Sequence, residues 1–278
     1  GVTFQAFNVD GWNGIDFLSY TDDKNTFLDS CTIQDASEAI YCASASPTIK
    51  NSTIKKNSSA IICDSGSGPM ITNNIFTEID DYVIYIYASQ IDSNITGNTQ
   101  SNNSKGYVAV RGQISTVSNT YDWLNPGMPY VLDGDLSVYE ADNGKNGDAH
   151  AAVLKIYPGV TVKFPKEKSL RIGDDDSRHR GRLDAKGVTF TVTDTTDNAR
   201  WYGIDINKGA VNDSTVVDSS VIEYAHRGLE ISGNRAPTIT RNTFRYNSDY
   251  GIYSHDHEFA LRITGNTFLE NKYPVAVR

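Results

Sequence analysis

The stretch ITGNTF, residues 263–268, is one of seven related copies of a short phrase in this chain. The other six are LDSCTI (28–33), IKNSTI (49–54), ITNNIF (71–76), ITGNTQ (95–100), VDSSVI (217–222) and ITRNTF (239–244). Within each of the two groups, neighbouring copies begin 21 to 24 residues apart, and a second short alternation of apolar residues follows each copy. A fixed period of this length indicates a solenoid.

Each repeat unit alternates apolar and polar residues over only a few positions, so it buries one face and is too small to fold alone. Stacking of parallel strands about 4.8 Å apart solves this, because equivalent residues of successive coils then lie above one another. The abundance of Val, Ile, Thr, Tyr and Phe in the apolar runs is typical of β-structure. The sequence therefore predicts an all-β, right-handed parallel β-helix with coils of 21 to 24 residues.

The phrase also predicts which side chains point inward. One inward stack consists of Leu28, Ile49, Ile71, Ile95, Val217, Ile239 and Ile263, and a second of Ile33, Ile54, Phe76, Ile222, Phe244 and Phe268. The position between the two stacks is polar in most copies, with Ser52, Asn74, Asn98, Ser220, Asn242 and Asn266. Since a buried amide must be hydrogen-bonded, we interpret these residues as a structural ladder and not as a functional site.

Two of the three cysteines, Cys42 and Cys63, occupy the same inward position of adjacent coils. A buried thiol packs like a small apolar side chain. Neighbouring coils also lie within the separation that a disulfide needs, so both states stay open. The spacing of Cys31, Cys42 and Cys63 matches no zinc motif.

These copies resemble the parallel β-helix repeat family of the pectate-lyase-like superfamily, whose coils carry the consensus I-x-x-N-T-F followed by a G-I run. The resemblance covers residues 27–119 and 216–278. It is specific for the fold. It implies little about function, because lyases, hydrolases, epimerases, adhesins and surface proteins all use such coils.

Residues 121–190 differ from the coils and carry YVLDGDLSVYE, LKIYPGVTVKF and GRLDAKGVTF between Pro and Gly turns. This order resembles a module of large secreted repeat proteins, in which these strands precede a Trp-Gly-Ile strand and the coils. Trp12 matches Trp201 and Leu28 matches Val217, both at an offset of 189 residues. We therefore predict the C-terminal part of one module at residues 1–120 and a second at 121–278, with lead-in strands at 121–190 and coils at 191–278.

The net charge of −9 disfavours nucleic-acid binding, which needs clustered Lys and Arg. No apolar run approaches the roughly 18 residues of a membrane span. Sequons at Asn51, Asn57, Asn94, Asn102 and Asn212 permit glycosylation, although a chain so rich in Asn, Ser and Thr also contains such matches by chance.

A catalytic β-helix needs carboxylates on adjacent coils, about 5 to 10 Å apart. The outward positions of the registered strands show no such stack, so the sequence predicts no catalytic residue. Four tyrosines in or beside these outward positions, Tyr41, Tyr85, Tyr87 and Tyr253, offer flat faces for sugar stacking. The repeated Trp12-to-Asp16 and Trp201-to-Asp205 runs suggest a Trp that covers a coil edge and an Asp that bonds a turn.

Two loops carry candidate metal ligands. DNGKNGD places oxygen donors at Asp142, Asn146 and Asp148, as a calcium loop does, but lacks the distal Glu. SHDHEF offers His255, Asp256 and His257. A plain solvated loop is favoured in both cases, so we predict no cofactor, with calcium at the first loop as the alternative. GDDDSRHRG, residues 173–181, reads as self-neutralising surface charge.

The first functional hypothesis is a structural or interaction segment of an extracellular tandem-repeat protein without catalysis, in a fibre, sheath, surface layer or adhesin. Its partner would be another β-coil, supplied by continuation in a longer chain or by end-to-end association, because uncovered coils expose unpaired backbone. The alternative is a carbohydrate-active β-helix, either a polysaccharide lyase or hydrolase or a carbohydrate-binding module.

Overall fold

The computed structural model describes residues 1–8, 11–116, 118–141, 148–212, 214–232, 235–255 and 262–278. In these ranges the chain forms short parallel β-strands and three 3-10 helices, at Ala88–Gln90, Asp148–His150 and Thr196–Asn198. Two compact units are present. The first unit comprises Gly1–Arg111 and Leu124–Val131, and the second comprises Gly112–Trp123 and Leu132–Arg278.

The first unit contains strands β1 to β14. They are β1 (Thr3–Phe4), β2 (Ile15–Phe17), β3 (Phe27–Asp29), β4 (Thr32–Gln34), β5 (Glu38–Cys42), β6 (Thr48–Lys50), β7 (Thr53–Asn57), β8 (Ser59–Cys63), β9 (Met70–Thr72), β10 (Ile75–Ile79), β11 (Tyr82–Tyr87), β12 (Ile95–Thr96), β13 (Thr99–Ser101) and β14 (Lys105–Arg111). Within this unit, each strand pairs with the strand three places away in the chain. This pairing gives three parallel faces, in the orders β1-β4-β7-β10-β13, β2-β5-β8-β11-β14 and β3-β6-β9-β12.

The remaining strands belong to the second unit, apart from β16, which holds residues of both. They are β15 (Thr120–Trp123), β16 (Tyr130–Leu132), β17 (Leu136–Val138), β18 (Ala152–Ile156), β19 (Thr161–Phe164), β20 (Ser169–Ile172), β21 (Gly181–Lys186), β22 (Thr189–Val192), β23 (Gly203–Ile206), β24 (Val216–Asp218), β25 (Val221–Glu223), β26 (Arg227–Ile231), β27 (Thr238–Thr240), β28 (Thr243–Arg245), β29 (Tyr250–Ser254), β30 (Arg262–Thr264), β31 (Thr267–Leu269) and β32 (Tyr273–Val277). Its faces are β15-β18-β21-β24-β27-β30, β17-β20-β23-β26-β29-β32 and β19-β22-β25-β28-β31.

Strand register stacks the repeated apolar residues directly. Leu28 pairs with Ile49, and Ile49 with Ile71, which pairs with Ile95. In the second unit the rings of Phe244 and Phe268 stack with centroids 5.4 Å apart. Both predicted inward stacks are therefore confirmed, and the predicted fold, a right-handed parallel β-helix, is confirmed with them.

The polar position between the stacks forms a column of side chains that bond backbone groups. Asn74 is buried, and its Oδ1 accepts the Ser52 N–H at 3.0 Å while its Nδ2 donates to the Ile49 carbonyl at 2.9 Å. The Asn74 N–H in turn donates to Asn98 Oδ1 at 2.9 Å. The second unit repeats this arrangement with Ser220, Asn242 and Asn266. Each amide thus satisfies backbone groups that burial would otherwise strand.

A second polar column lies five residues later and was missed in the sequence. It contains Asn57, Asn103, Asn247 and Asn271. Asn57 shows the pattern, because its Oδ1 accepts the Ala36 N–H at 2.9 Å and its Nδ2 donates to the Ile33 carbonyl at 3.1 Å. Two sequon asparagines, Asn57 and Asn94, are buried by such contacts, so they are closed to glycosylation in the folded protein.

The coil corner before the first column requires a left-handed backbone. The residue that precedes each column residue has φ between 51° and 67°, as at Asn51, Asn73, Ser219 and Arg241 and at Gly97 and Gly265. Asn and Gly tolerate this conformation best, which explains their frequency in the repeat.

Cys42 and Cys63 are register partners and are fully buried, so their predicted inward position is confirmed. Both are free thiols, as is the half-buried Cys31. A hydrogen bond with Cys42, together with burial, raises the pKa of the Cys63 thiol well above its ordinary value. Thiolate formation at Cys63 is therefore disfavoured.

Candidate functional site

An outward column of polar side chains crosses one face of the second unit. In β20, β23 and β26 the flanking apolar residues point inward, so the middle residues Arg171, Asp205 and Glu230 point outward. Arg171 pairs with Asp205, and Asp205 pairs with Glu230. Two carboxylates therefore stand side by side on adjacent coils.

Arg171 lies between two of the acidic side chains. Its guanidinium is 3.9 Å from Asp205 and 4.0 Å from Asp135, and its Nε donates to Ser169 Oγ at 3.0 Å. Asp135 is itself held in place, because its Oδ1 accepts the Ser169 N–H at 2.8 Å. The two ion pairs of Arg171 are long, so this guanidinium keeps donors available to a further group.

Glu230 is held by two basic side chains. Arg227 Nη1 lies 2.6 Å and His255 Nε2 2.5 Å from Glu230 Oε1. Arg227 also lies 3.7 Å from Asp249 and 4.5 Å from the ring centre of Tyr253. These contacts fix the guanidinium between two carboxylates and an aromatic face.

Asp205 has an unusual protonation equilibrium. Burial and the negative charge of Glu230 raise its pKa to about 6, while Arg171 and Ser169 act in the opposite direction. Only 25% of its side chain is exposed, which agrees with burial as the largest cause. Asp205 thus binds its proton near neutral pH, and its neighbour Glu230 is an ion-paired carboxylate. In such a pair of carboxyl groups one can act as an acid and the other as a base.

The two carboxylates line a groove of about 390 Å³, which we name the carboxylate groove. Its lining residues are Tyr202, Asp205, His226, Arg227, Glu230 and Asp249. Tyr202 is 46% exposed, and its ring centre lies 5.5 Å from that of His226. His226 Nδ1 is 3.2 Å from Ser248 Oγ. The groove thus combines an open aromatic ring with charged and uncharged hydrogen-bonding groups.

This groove corrects two sequence interpretations. The outward positions were expected to carry no stacked acids, yet Asp205 and Glu230 are partners. Asp205 was expected to bond a turn, but it faces Arg171 and Glu230 instead. From the sequence alone, the WYGIDI strand was not aligned with the strand of the next coil. In the structure, Ile204 and Ile206 face inward beside Leu229 and Ile231, which places Asp205 beside Glu230 on the outside.

The four tyrosines considered for sugar stacking do not form one surface. Tyr41, Tyr85 and Tyr87 are half-buried in the first unit, with Arg111 4.9 Å from the Tyr87 ring centre. Tyr253 is buried and only 8% exposed, because Tyr250, Arg227 and His255 cover its ring. Tyr253 is therefore not an exposed stacking face, and the exposed ring at the groove is Tyr202.

The candidate metal ligands fall largely outside the described residues. This applies to Asp142, Asn146, Asp256 and His257 and to the side chain of Asp148. His255 is described and contacts Glu230. In the part of the chain that the structure describes, no group of three His, Cys, Asp or Glu side chains is placed to hold a metal.

The charged hairpin GDDDSRHRG pairs its own residues. Arg178 Nη2 lies 2.6 Å from Asp176, and His179 Nδ1 lies 2.9 Å from Asp174. Hydrogen bonds from Arg178 hold the pKa of Asp176 well below its usual range. These pairs within one hairpin agree with the interpretation of self-neutralising surface charge.

Comparisons with known proteins give two family matches. A model described as right handed beta helix region matches residues 1–127, and one described as periplasmic copper-binding protein (NosD) matches residues 182–278. No curated protein and no solved structure matches the chain significantly. Among the described helices, none has the length and apolar character needed to cross a membrane.

The described residues within the second match do not fit a copper centre. Copper prefers His, Cys and Met ligands, and residues 182–278 contain no Cys or Met. The two described histidines of this stretch, His226 and His255, contact Ser248 and Glu230. We therefore derive no step that involves copper.

The match at residues 1–127 and the strand ladders of both units lead to the same architecture. Parallel pairing joins successive coils throughout the described strands. The chain is a right-handed parallel β-helix built from sequence repeats.

Proposed function

We propose that the chain is a structural and interaction segment of a protein that works outside the cytoplasm, in a fibre, sheath, surface layer or adhesin. The observation that carries this proposal is the repeated pair of polar columns, which links coil to coil in both units. Such columns serve the stacking of coils and need no active site. The word periplasmic in the description of the model matched at residues 182–278 supports the location.

The proposed partner is a further β-coil on the face of the last strands. Val275 and Val277 are 40% and 46% exposed, whereas their register partners Ile252 and Ser254 are 0% and 1% exposed. A covering coil would bury these side chains and pair the free edge of β32. The cover would come from a longer chain or from a second copy.

Light scattering of the isolated 278-residue chain tests this partner. We expect association that rises with concentration and that a Val275→Asp, Val277→Asp variant abolishes. Lys24→Asp, at an exposed turn of the first unit, is the control for added negative charge. A chain that stays monomeric at every concentration would contradict association between copies.

A second candidate function is a carbohydrate-active β-helix. The observation that favours it is the pairing of Asp205 with Glu230 on adjacent coils, with the pKa of Asp205 at about 6. A panel of polysaccharides assayed for new reducing ends and unsaturated ends tests catalysis. Release of either product, lost in Asp205→Asn, would support an enzyme, and an inactive protein would leave binding as the only carbohydrate function.

A further inference from the structure

We propose that the carboxylate groove of the second unit binds a stretch of uncharged saccharide, with a sugar ring against Tyr202. The proposal rests on the second candidate function and does not depend on the structural one. It concerns binding, so it stands whether or not the bound chain is cleaved.

The first argument is a comparison inside the molecule. The run WYGID of the second unit matches WNGID of the first, so Asn13 takes the place of Tyr202 and Tyr41 that of Glu230. The polar columns are the same in both units. The fold therefore does not require the groove residues, and their presence in one unit needs another explanation.

The second argument is the chemistry of the lining. Tyr202, 46% exposed, offers an aromatic ring next to His226 against which an apolar sugar face can pack. Arg227 donates in a planar fork, while Glu230 and Asp249 accept. Adjacent sugar hydroxyls both donate and accept, so such a set of fixed groups satisfies them. The volume of about 390 Å³ lies within the range of ligand sites.

The third argument is charge. The lining contains three carboxyl groups, Asp205, Glu230 and Asp249, against one guanidinium, Arg227. An anionic saccharide would meet like charge at short distance, which opposes binding. Arg227, the one guanidinium among the described lining residues, is already paired with both Glu230 and Asp249, so it offers an acidic sugar little compensating charge. Glu230 and Asp249 are in turn paired with Arg227, so neither carboxylate is free for a cationic sugar, and an uncharged ligand fits the groove best.

The test uses the full chain on an array of immobilised hexasaccharides. Uncharged cello-, manno-, malto-, xylo- and galacto-oligomers form one arm, hexagalacturonate the anionic arm and a chitosan hexamer the cationic arm. We expect at least one uncharged oligomer to bind, and titration calorimetry to give at least a tenfold loss of affinity in Tyr202→Asn and in Glu230→Tyr. Both substitutions introduce residues that the first unit carries at the equivalent positions.

Asp16→Asn in the first unit is the control and should leave affinity unchanged. Binding of none of the uncharged oligomers, binding confined to the galacturonate or chitosan arm, or full binding by Tyr202→Asn or by Glu230→Tyr would each overturn the proposal. Light scattering of the same variants should remain that of the unaltered chain, because none of them lies in the last coil, which holds Val275 and Val277. A loss of binding is thereby separated from a failure of the structural proposal.

Discussion

The two units have the same kind of apolar interior, but their outward side chains differ in chemistry. Ile15 and Ile204, which precede the matched Asp16 and Asp205, both pair with an apolar residue of the next coil. Outside, Asp16 is exposed next to Tyr41, whereas Asp205 lies next to Glu230 and has a raised pKa. The inward residues are constrained by stacking, and the outward ones are free to differ.

The matched tryptophans show a difference inside the units as well. Both indole N–H groups donate to a carbonyl at 2.8 Å, from Trp12 to Gln34 and from Trp201 to Glu223. Trp12 is half-buried, whereas Trp201 is fully buried and stacks on Phe164 with ring centres 4.6 Å apart. The same residue is thus a partial cover in one unit and a core residue in the other.

The largest expected effect comes from these tryptophans. Trp201→Ala should destabilise the protein by about 3 to 5 kcal/mol, because it leaves a large cavity beside Phe164. Trp12→Ala should cost less than half of that, because part of its ring already contacts water. Chemical denaturation followed by circular dichroism measures both. Equal losses would contradict the different burial of the two residues.

Loss of a column asparagine should have the next largest effect and should not distinguish the units. Asn74→Ala and Asn242→Ala each strand a buried N–H and a buried carbonyl, at a cost of about 1 to 3 kcal/mol. Asn25→Ala, at an exposed turn, is the control and should change stability by less than about 0.5 kcal/mol. An unchanged melting temperature in either column variant would refute the structural role of the column.

The fold could be predicted because the inward pattern repeats at constant phase. In the phrase at residues 263–268, an apolar residue, an amide and a second apolar residue each lie above the equivalent residue of the previous coil. Stacking of the coils therefore restricts the residue type at all three positions. The second column was equally regular, since Asn57, Asn103, Asn247 and Asn271 each lie five residues after a column position. It was missed because its members alternate with apolar residues such as Ile79.

The carboxylate groove could not be predicted with the same means. Its residues come from strands with different phrases, WYGIDI and RGLEI, and the turns between them vary in length. Register across such turns depends on the three-dimensional path. The charge state of Asp205 depends further on burial and on Glu230, neither of which a linear pattern reports.

A smaller effect concerns Asp205 and pH. Its folded pKa of about 6 exceeds the unfolded value of about 3.9, so protonation of Asp205 contributes to the free energy of unfolding. This contribution is fully present below about pH 4 and is lost as the pH rises through about 6. Asp205→Asn should therefore be more stable than the unaltered protein at pH 8, by up to about 2 kcal/mol, and this gain should vanish below pH 4. Thermal melts at the two pH values measure it.

The matched control for this variant is Asp16→Asn, whose carboxylate is exposed beside Tyr41. We expect no comparable gain at pH 8 there, because no second carboxylate is its register partner. A gain of the same size in both units would mean that the scaffold, and not the Asp205–Glu230 pair, sets the effect.

The smallest effect separates the two largest causes of the raised pKa of Asp205, burial and the charge of Glu230. Glu230→Gln removes one negative charge and keeps the size of the side chain, so the pKa of Asp205 should fall from about 6. It should remain above the ordinary aspartate value of about 3.9, because burial is the larger cause and persists in the variant. Carbon-detected NMR titration of the Asp205 carboxyl measures this shift, with Glu38→Gln in the first unit as the control. A pKa that did not move, or that rose, would contradict a direct effect of the Glu230 charge and would leave burial and the smaller effect of Asp135 as the causes of the raised value.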